Sequence, residues 1–369
     1  MQATGFHLAG GGTGGHLFPA LAIAEALQER FQDCEISFWG TTRGVESQIL
    51  PQKGYRWYRI WVQGFLRRWD LKNLLFPFTL LASFIKIVVV LLWHRPQAVI
   101  GTGGYVSGPV ILAAFLLRIP CFIQEQNVFP GATSRILSRI AKRIYLNFEA
   151  SRSYFRNQAK ILVTGNPVRL ELRRVNRRTA LQKWNLSPQL KTLFVFGGSQ
   201  GAHPLNKVML EIAASLVNKL PLQIIWSTGK LDYMKVLKNT ALHRQKIKVF
   251  EFIDDMGAAY AVSDLALCRA GATTVAELSF CEVPPILVPY PHATAGHQEF
   301  NARALEKANA AVCILENELS AKRLFDLVEA LVTNEEKLQQ MRTNLRLFAH
   351  PDAAKTIVED IVRTLRRIE

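Results

Sequence analysis

Short, continuous apolar runs alternate along this chain with longer stretches in which apolar positions recur every three or four residues. GFHLAG, EISFWG, QAVIGTGG and CFIQEQN read as strands, and PALAIAEALQERF and VILAAFLLRI, which lie among them, read as helices. The second half restarts the same grammar. TLFVFGGS, QIIWSTG, IKVFEFI, DLALCRAG and PPILVPY are strands, with helices over Pro204–Lys219, over Met256–Val262 and from Thr273 onward. Strands separated by helices join into parallel sheets through right-handed crossovers. The expected class is therefore α/β, with two Rossmann-like doubly wound parallel sheets facing a cleft. The glycine and proline of TGNPVR (Thr164–Arg169) place the join, giving a first domain over 1–165 and a second over 166–350. Past Ser320 the pattern is helical through Phe348, breaks at Pro351, and resumes as a closing helix over 351–369 that is expected to return to the first domain.

Charge adds a partner to this picture. The 369 residues carry 45 Lys and Arg against 29 Asp and Glu, a net +16 that calls for an anionic partner. Much of the excess falls between Pro51 and Arg95. There eight basic residues face the single acid Asp70 among Trp57, Trp61, Trp69, Trp93, Phe65, Phe76, Phe78 and Phe84. Rings beside cations suit the interface of an anionic bilayer, with Arg67, Arg68, Trp69 and Lys72 as the expected membrane-facing residues. The apolar run Asn73–Trp93 is interrupted by Pro77 and Lys86, so a helix partly buried and partly dipped into the interface is favoured over a span. The same composition fits single-stranded nucleic acid less well, since no RNA-binding consensus accompanies it. A second basic stretch, Arg135–Arg178, with twelve Lys or Arg against Glu149 and Glu171, reads as a solvated helix face. Five cysteines without C-x-x-C spacing and an N-terminus without a basic leader indicate core thiols in a cytosolic chain.

Candidate chemistry lies in the glycine turns that end strands. GGGTGGHLFPALA, GTGGYVSGPV, GGSQGAHPLN and RAGATTVAEL each run from a strand through glycine into a helix, aiming backbone N–H groups and a helix start at an anion. The first contains G-x-G-x-x-G at Gly10, Gly12 and Gly15. However, the following strand ends in Gly40, Thr41 and Thr42, without the ribose-binding acid of a nicotinamide site. Two domains with such turns describe a site for a pyrophosphate-containing molecule. Asp254 and Asp255 are expected to cap a helix rather than hold a metal.

These motifs, with QEQN, TGNPVR, EFIDDM and the HATAGHQEFNA block, resemble the MurG family of peptidoglycan glycosyltransferases, in order and over essentially the whole chain. The resemblance implies a GT-B fold and inverting transfer of N-acetylglucosamine from UDP-N-acetylglucosamine to the C4 hydroxyl of the muramoyl sugar of lipid I. That transfer gives lipid II at the cytoplasmic face of the plasma membrane, without a cofactor or catalytic metal, by a peripheral enzyme that meets other cell-wall synthesis proteins. It implies donor contacts residue by residue. Uracil would meet the backbone of Ile253, the ribose Glu277, and the diphosphate Ser199 and the helix start Ala272, Thr273, Thr274 and Val275, followed by Ala276, with Arg169 nearby. The sugar would meet Gln298, with Thr13, Gly14, Gly15 and Asn127 closing over it. Tyr105, Asn206 and Asn301 match family positions without a single obvious role, and Gln124 stands where the family often has histidine. Inverting displacement needs a base for the acceptor hydroxyl, and His16 and Glu125 are the titratable candidates on first-domain loops. The competing readings are another nucleotide-sugar enzyme or an oxidoreductase on doubled Rossmann domains, which lacks its ribose acid and a Tyr-x-x-x-Lys dyad here, and a basic membrane-binding scaffold.

Overall fold

A computed structural model describes residues 5–42, 44–62, 72–198 and 200–367. Two compact units result, one formed by the chain up to Val168 together with the segment from His350 onward, the other by Arg169–Ala349.

In the first unit the order is β1 (Gly5–Gly10), α1 (Gly14–Arg30), β2 (Glu35–Gly40), α2 (Glu46–Gln52), β3 (Arg56–Arg59), α3 (Lys72–His94), β4 (Ala98–Gly103), α4 (Gly104–Leu116), β5 (Cys121–Glu125), α5 (Ala132–Leu137), β6 (Arg143–Leu146) and β7 (Ile161–Val163). Its strands lie parallel in the order β3-β2-β1-β4-β5-β6-β7, with Leu8 between Phe38 and Ile100. The central strands are buried along nearly their whole length because helices cover both faces, which is why they read as continuous apolar runs. Phe6, Leu8, Phe38 and Ile100 point to one face, with Leu21 of α1 and with Ile357 and Ile361 from the C-terminal segment. Trp39, Val99 and Ile123 point to the other, with Ile87 and Leu91 of α3 and Val110 of α4.

The second unit runs α6 (Arg177–Lys183), β8 (Lys191–Phe196), α7 (His203–Lys219), β9 (Leu222–Ser227), α8 (Tyr233–Asn239), β10 (Ile247–Phe250), α9 (Met256–Val262), β11 (Leu265–Cys268), α10 (Ala272–Cys281), β12 (Pro285–Leu287), α11 (His297–Lys307), β13 (Val312–Cys313), α12 (Ala321–Val332) and α13 (Glu335–Leu345). The sheet order is β10-β9-β8-β11-β12-β13, again parallel. The closing helix α14 (Ala353–Arg366) belongs to the first unit. There its buried Asp360 accepts hydrogen bonds from Arg143 Nε (3.0 Å) and the Tyr145 hydroxyl (3.1 Å). Burial, followed by that carboxylate, raises the Tyr145 pKa well above its usual value.

The stretch Arg135–Arg178 is not one solvated helix face. It breaks into the end of α5, the strands β6 and β7, 3-10 turns and the start of α6, because Ile144, Leu146, Phe155 and Ile161 bury themselves between the cations. Helix α3 buries Ser83, Ile87 and Leu91 and presents Phe78, Leu81, Ile85, Val89, Leu92 and Trp93 to the outside, Trp93 at 85% exposure. Its segment Pro77–His94 is long and apolar enough to cross a membrane by length and composition, with a mean hydropathy of 1.8. Several cations of this region lie over rings: Lys86 over Trp61 (5.1 Å) and Arg59 over Trp57 (5.0 Å). Arg67, Arg68 and Trp69 fall outside the described residues, and Lys72 opens α3. Of the five free cysteines, Cys121, Cys268 and Cys313 are buried.

Candidate active site

In each sheet the strand order reverses between two neighbours, β1 and β4 in the first and β8 and β11 in the second, and ligands of open α/β sheets bind outside the carboxyl ends at such points. All four glycine turns follow these four strands.

At the first switch point the turn after β1 is held by Glu46. Its fully buried carboxylate accepts from Gly12 N (2.9 Å), Thr41 N (2.8 Å) and Thr41 Oγ1 (2.9 Å). A Cβ at Gly44 would sit 2.0 Å from that carboxylate, so the glycine makes room for it. Thr13 is the N-cap of α1 in extended backbone, without a side-chain cap, and Gly14 and Gly15 begin the helix. His16 follows in the first turn. Its Nδ1 lies 3.0 Å from the Thr102 carbonyl and 3.3 Å from Gln126 Oε1. Both partners accept, so Nδ1 carries the proton and Nε2 is the basic nitrogen of the neutral ring. The turn after β4 accommodates this ring. Gly103 adopts φ +103°, and a Cβ there would come within 2.5 Å of Nδ1. Thr102 Oγ1 donates back to the His16 carbonyl (2.8 Å), tying the two turns together.

Glu125 ends β5 at 3% exposure, with both carboxylate oxygens committed to its own loop. Oε1 accepts from Asn127 N (3.1 Å) and Nδ2 (3.2 Å), and Oε2 from Gly131 N (3.2 Å). Asn127 is thus placed by Glu125 and by Ser151, whose hydroxyl donates to its carbonyl (3.0 Å). Gln124 donates to Asn166 Oδ1 (3.0 Å), and Tyr105 lies 60% exposed in the first turn of α4.

In the second unit, Gly271 is the N-cap of α10 and supplies no capping side chain; Thr273 and Thr274 sit inside the first turn rather than capping it. Ala272, Val275 and Ala276 are buried, so outward contacts from this helix start fall to backbone N–H groups and to the half-buried Thr273 and Thr274. Glu277 lies one turn on at 6% exposure. It accepts from Tyr260 Oη at 2.9 Å and Arg169 Nη2 at 3.3 Å. Burial raises its pKa, opposed by Arg169 and by the Tyr260 hydroxyl. Ile253 is buried in the loop after β10. Gln298 starts α11 with Oε1 accepting from Tyr290 N (2.9 Å), which leaves Nε2 as its outward donor. Asn206 uses its whole amide in the interior, donating to the Thr228 carbonyl and Asp232 Oδ2 (2.8 Å each) and accepting from Trp226 Nε1 (2.9 Å). Asn301, fully buried, donates to the Ala270 carbonyl at the end of β11 (3.2 Å). Asp255 caps α9 through Ala258 N (3.0 Å), and among the described residues no group of three or more His, Cys, Asp or Glu is placed to hold a metal. Ser199 lies outside the described residues.

The glycosyltransferase family 28 N-terminal domain matches residues 6–146, and the C-terminal domain of the same family matches 192–357. A protein of Desulforamulus reducens is 40% identical over 366 residues, covering 98% of each chain. It is a UDP-N-acetylglucosamine--N-acetylmuramyl-(pentapeptide) pyrophosphoryl-undecaprenol N-acetylglucosamine transferase, as is one from Myxococcus xanthus at 42% identity, covering 95% of this chain and 91% of its own. This chain belongs to the MurG family. The crystal structure of Acinetobacter baumannii MurG superposes with a TM-score of 0.78 at 31% identity, covering 98% of this chain and 99% of that one. A UDP-GlcNAc 2-epimerase from Neisseria meningitidis bound to UDP-GlcNAc shares the fold, at TM-score 0.68 and 15% identity over 98% of this chain and all of the other. The MurG-family fold is GT-B, as both sheets display.

Glu46, Thr102, Gln126 and Tyr260 escape a reading of the motifs alone. Each acts through a contact many residues away, and only the extra glycines at 40 and 44 signal that a side chain fills the space beside the first turn.

Proposed function

We infer that this chain transfers N-acetylglucosamine from UDP-N-acetylglucosamine to the C4 hydroxyl of the muramoyl sugar of lipid I, with inversion, forming lipid II. The observation that carries this reading over the epimerases of the same fold is identity near 40% with curated transferases along almost the entire chain. In this mechanism the acceptor oxygen attacks the anomeric carbon as the bond to the β-phosphate oxygen breaks, and the hydroxyl proton passes to Nε2 of His16. The Thr102 carbonyl and Gln126 support that role by fixing the tautomer. Glu125 serves as the tie of the 125–131 loop, since acting as base would cost it a loop hydrogen bond. Negative charge developing on UDP falls to the backbone N–H groups at the start of α10, with Ser199 a further contact and Arg169 adding positive charge. Glu277 takes the ribose hydroxyls, the backbone of Ile253 the uracil, and Nε2 of Gln298 a sugar hydroxyl. Thr13, Gly14, Gly15 and Asn127 border the sugar.

The acceptor's lipid cannot leave the bilayer, so the enzyme docks as a peripheral protein on the cytoplasmic face. The exposed face of α3, with Phe78, Leu81, Ile85, Val89, Leu92 and Trp93, supports docking, as does the basic segment that precedes it. The test is incubation of the protein with radiolabelled UDP-N-acetylglucosamine and a short-chain lipid I analogue. Label is expected in a disaccharide lipid product with release of UDP; conversion of the donor sugar without transfer would instead assign an epimerase.

A further inference from the structure

On the first unit, away from the glycine turns, a surface cavity of about 330 Å³ is lined by Arg135, Ser138, Arg139, Tyr154, Arg156, Asn157 and Lys160. That volume is within the roughly 300–1,000 Å³ of small-molecule sites. Arg139 and Lys160 stand just before β6 and β7, at the amino ends of those strands, whereas the candidate active site lies at the carboxyl ends of β1, β4 and β5. We propose that this cavity is a phosphate-binding site distinct from the donor site.

Four cations share one concave wall, and among the described residues none of the four makes an ion pair. The nearest acid in sequence, Glu149, is paired with Arg152 at 2.6 Å. Like charges so gathered repel one another, and a bound anion relieves them. Lys142 adds a further cation beside the wall, and burial and that neighbour lower the pKa of Lys160. The wall is also ordered. Arg135 lies over the Phe129 ring (5.3 Å), and Phe129 packs edge-on against Tyr154 (5.0 Å). Lys160 Nζ donates to the Arg139 carbonyl (3.1 Å), and Ser138 Oγ to the Arg135 carbonyl (2.7 Å). Guanidinium forks match phosphate oxygens bidentately, so three arginines and a lysine suit a group carrying two or more anionic oxygens better than a carboxylate. Two sources supply that chemistry, a free phosphate compound and a phospholipid headgroup. Helix α5, which carries Arg135, packs on α4, and α4 on α3, so the cavity shares a layer with the exposed apolar face and with the exposed Ile136 beside it.

The full chain is compared with Arg139→Gln/Arg156→Gln and with Arg363→Gln/Arg366→Gln, a control that removes equal charge from α14 on the opposite sheet face. Three readouts are taken: calorimetric titration with inorganic pyrophosphate, sedimentation with phosphatidylglycerol–phosphatidylcholine vesicles against phosphatidylcholine alone, and transfer to a water-soluble acceptor. The parent and the control should bind pyrophosphate in the presence of saturating UDP, and the cavity variant about tenfold more weakly. A matching loss of binding to the anionic vesicles, reversed in the parent by added pyrophosphate, assigns a lipid headgroup. Unchanged vesicle binding assigns a free phosphate compound. Transfer should be equal in all three proteins, which separates this site from the catalytic reading. Equal pyrophosphate and vesicle binding by the cavity and control variants would overturn the proposal.

Discussion

Glu277 illustrates how one side chain carries several constraints at once. It is almost fully buried, and burial pushes its pKa up, while Arg169 and Tyr260 oppose that rise and aim the carboxyl group. Ribose hydroxyls would add to a carboxylate that is already oriented. Glu277→Ala should weaken donor binding by about 2–3 kcal/mol, read as the donor Michaelis constant; a change within about twofold would remove its ribose role. Gln298 spends its carbonyl on Tyr290 N, so in the proposed site its amide donor is what would meet a sugar, and its replacement should relax discrimination between N-acetylglucosamine and the C4 epimer. His7 makes a different, purely structural prediction. It accepts from Trp39 Nε1 (3.1 Å), and burial first, then His94 and Arg56, push its pKa from 6.5 down to about 3. Between those values the unfolded chain binds a proton that the folded chain refuses. Stability from this residue is therefore complete above pH 6.5 and declines by about 1.4 kcal/mol per unit as pH falls toward 3. Urea unfolding of His7→Gln at several pH values should show a shallower acid slope than the parent.

Legibility differed from element to element. The helices at Met256–Val262 and from Pro204 to Lys219 were readable because periodicity and flanking turn residues agreed. β3, β6 and β13 were not readable. They are short and lie at or near sheet edges, so local pattern competes poorly with pairing that only the neighbouring strand supplies. The turns after β1, β4 and β11 were visible as glycine, yet Glu46 was not, since its contact with Gly12 spans 34 residues. Helix α3 separates two roles by face. Ile87→Ala should cost about 2–5 kcal/mol of unfolding free energy by opening a core cavity, with Ile85→Ser costing under about 1 kcal/mol but weakening vesicle binding. Reversed stabilities would contradict the placement of the buried face, and undiminished vesicle binding by Ile85→Ser would contradict docking through the other.

For the whole molecule, fold and function separate cleanly. Doubled Rossmann-like sheets are shared by a MurG-family transferase and by an epimerase, so the architecture does not fix what happens to a substrate. The motifs in QEQN and CRAGATTVAEL pointed to the transferase before any geometry, whereas they left His16 and Glu125 as alternatives, and the partners of each are what favour His16 in the role we propose. His16 has a fixed tautomer with Nε2 basic, and Glu125 is bound into its loop. The pH dependence of single-turnover transfer in the parent, His16→Ala and Glu125→Gln tests that assignment most directly. His16→Ala should lose about 10²- to 10⁴-fold in the chemical step together with the acidic limb of the profile, while Glu125→Gln keeps the limb. An acidic limb retained in His16→Ala and lost in Glu125→Gln would make Glu125 the base and contradict the account.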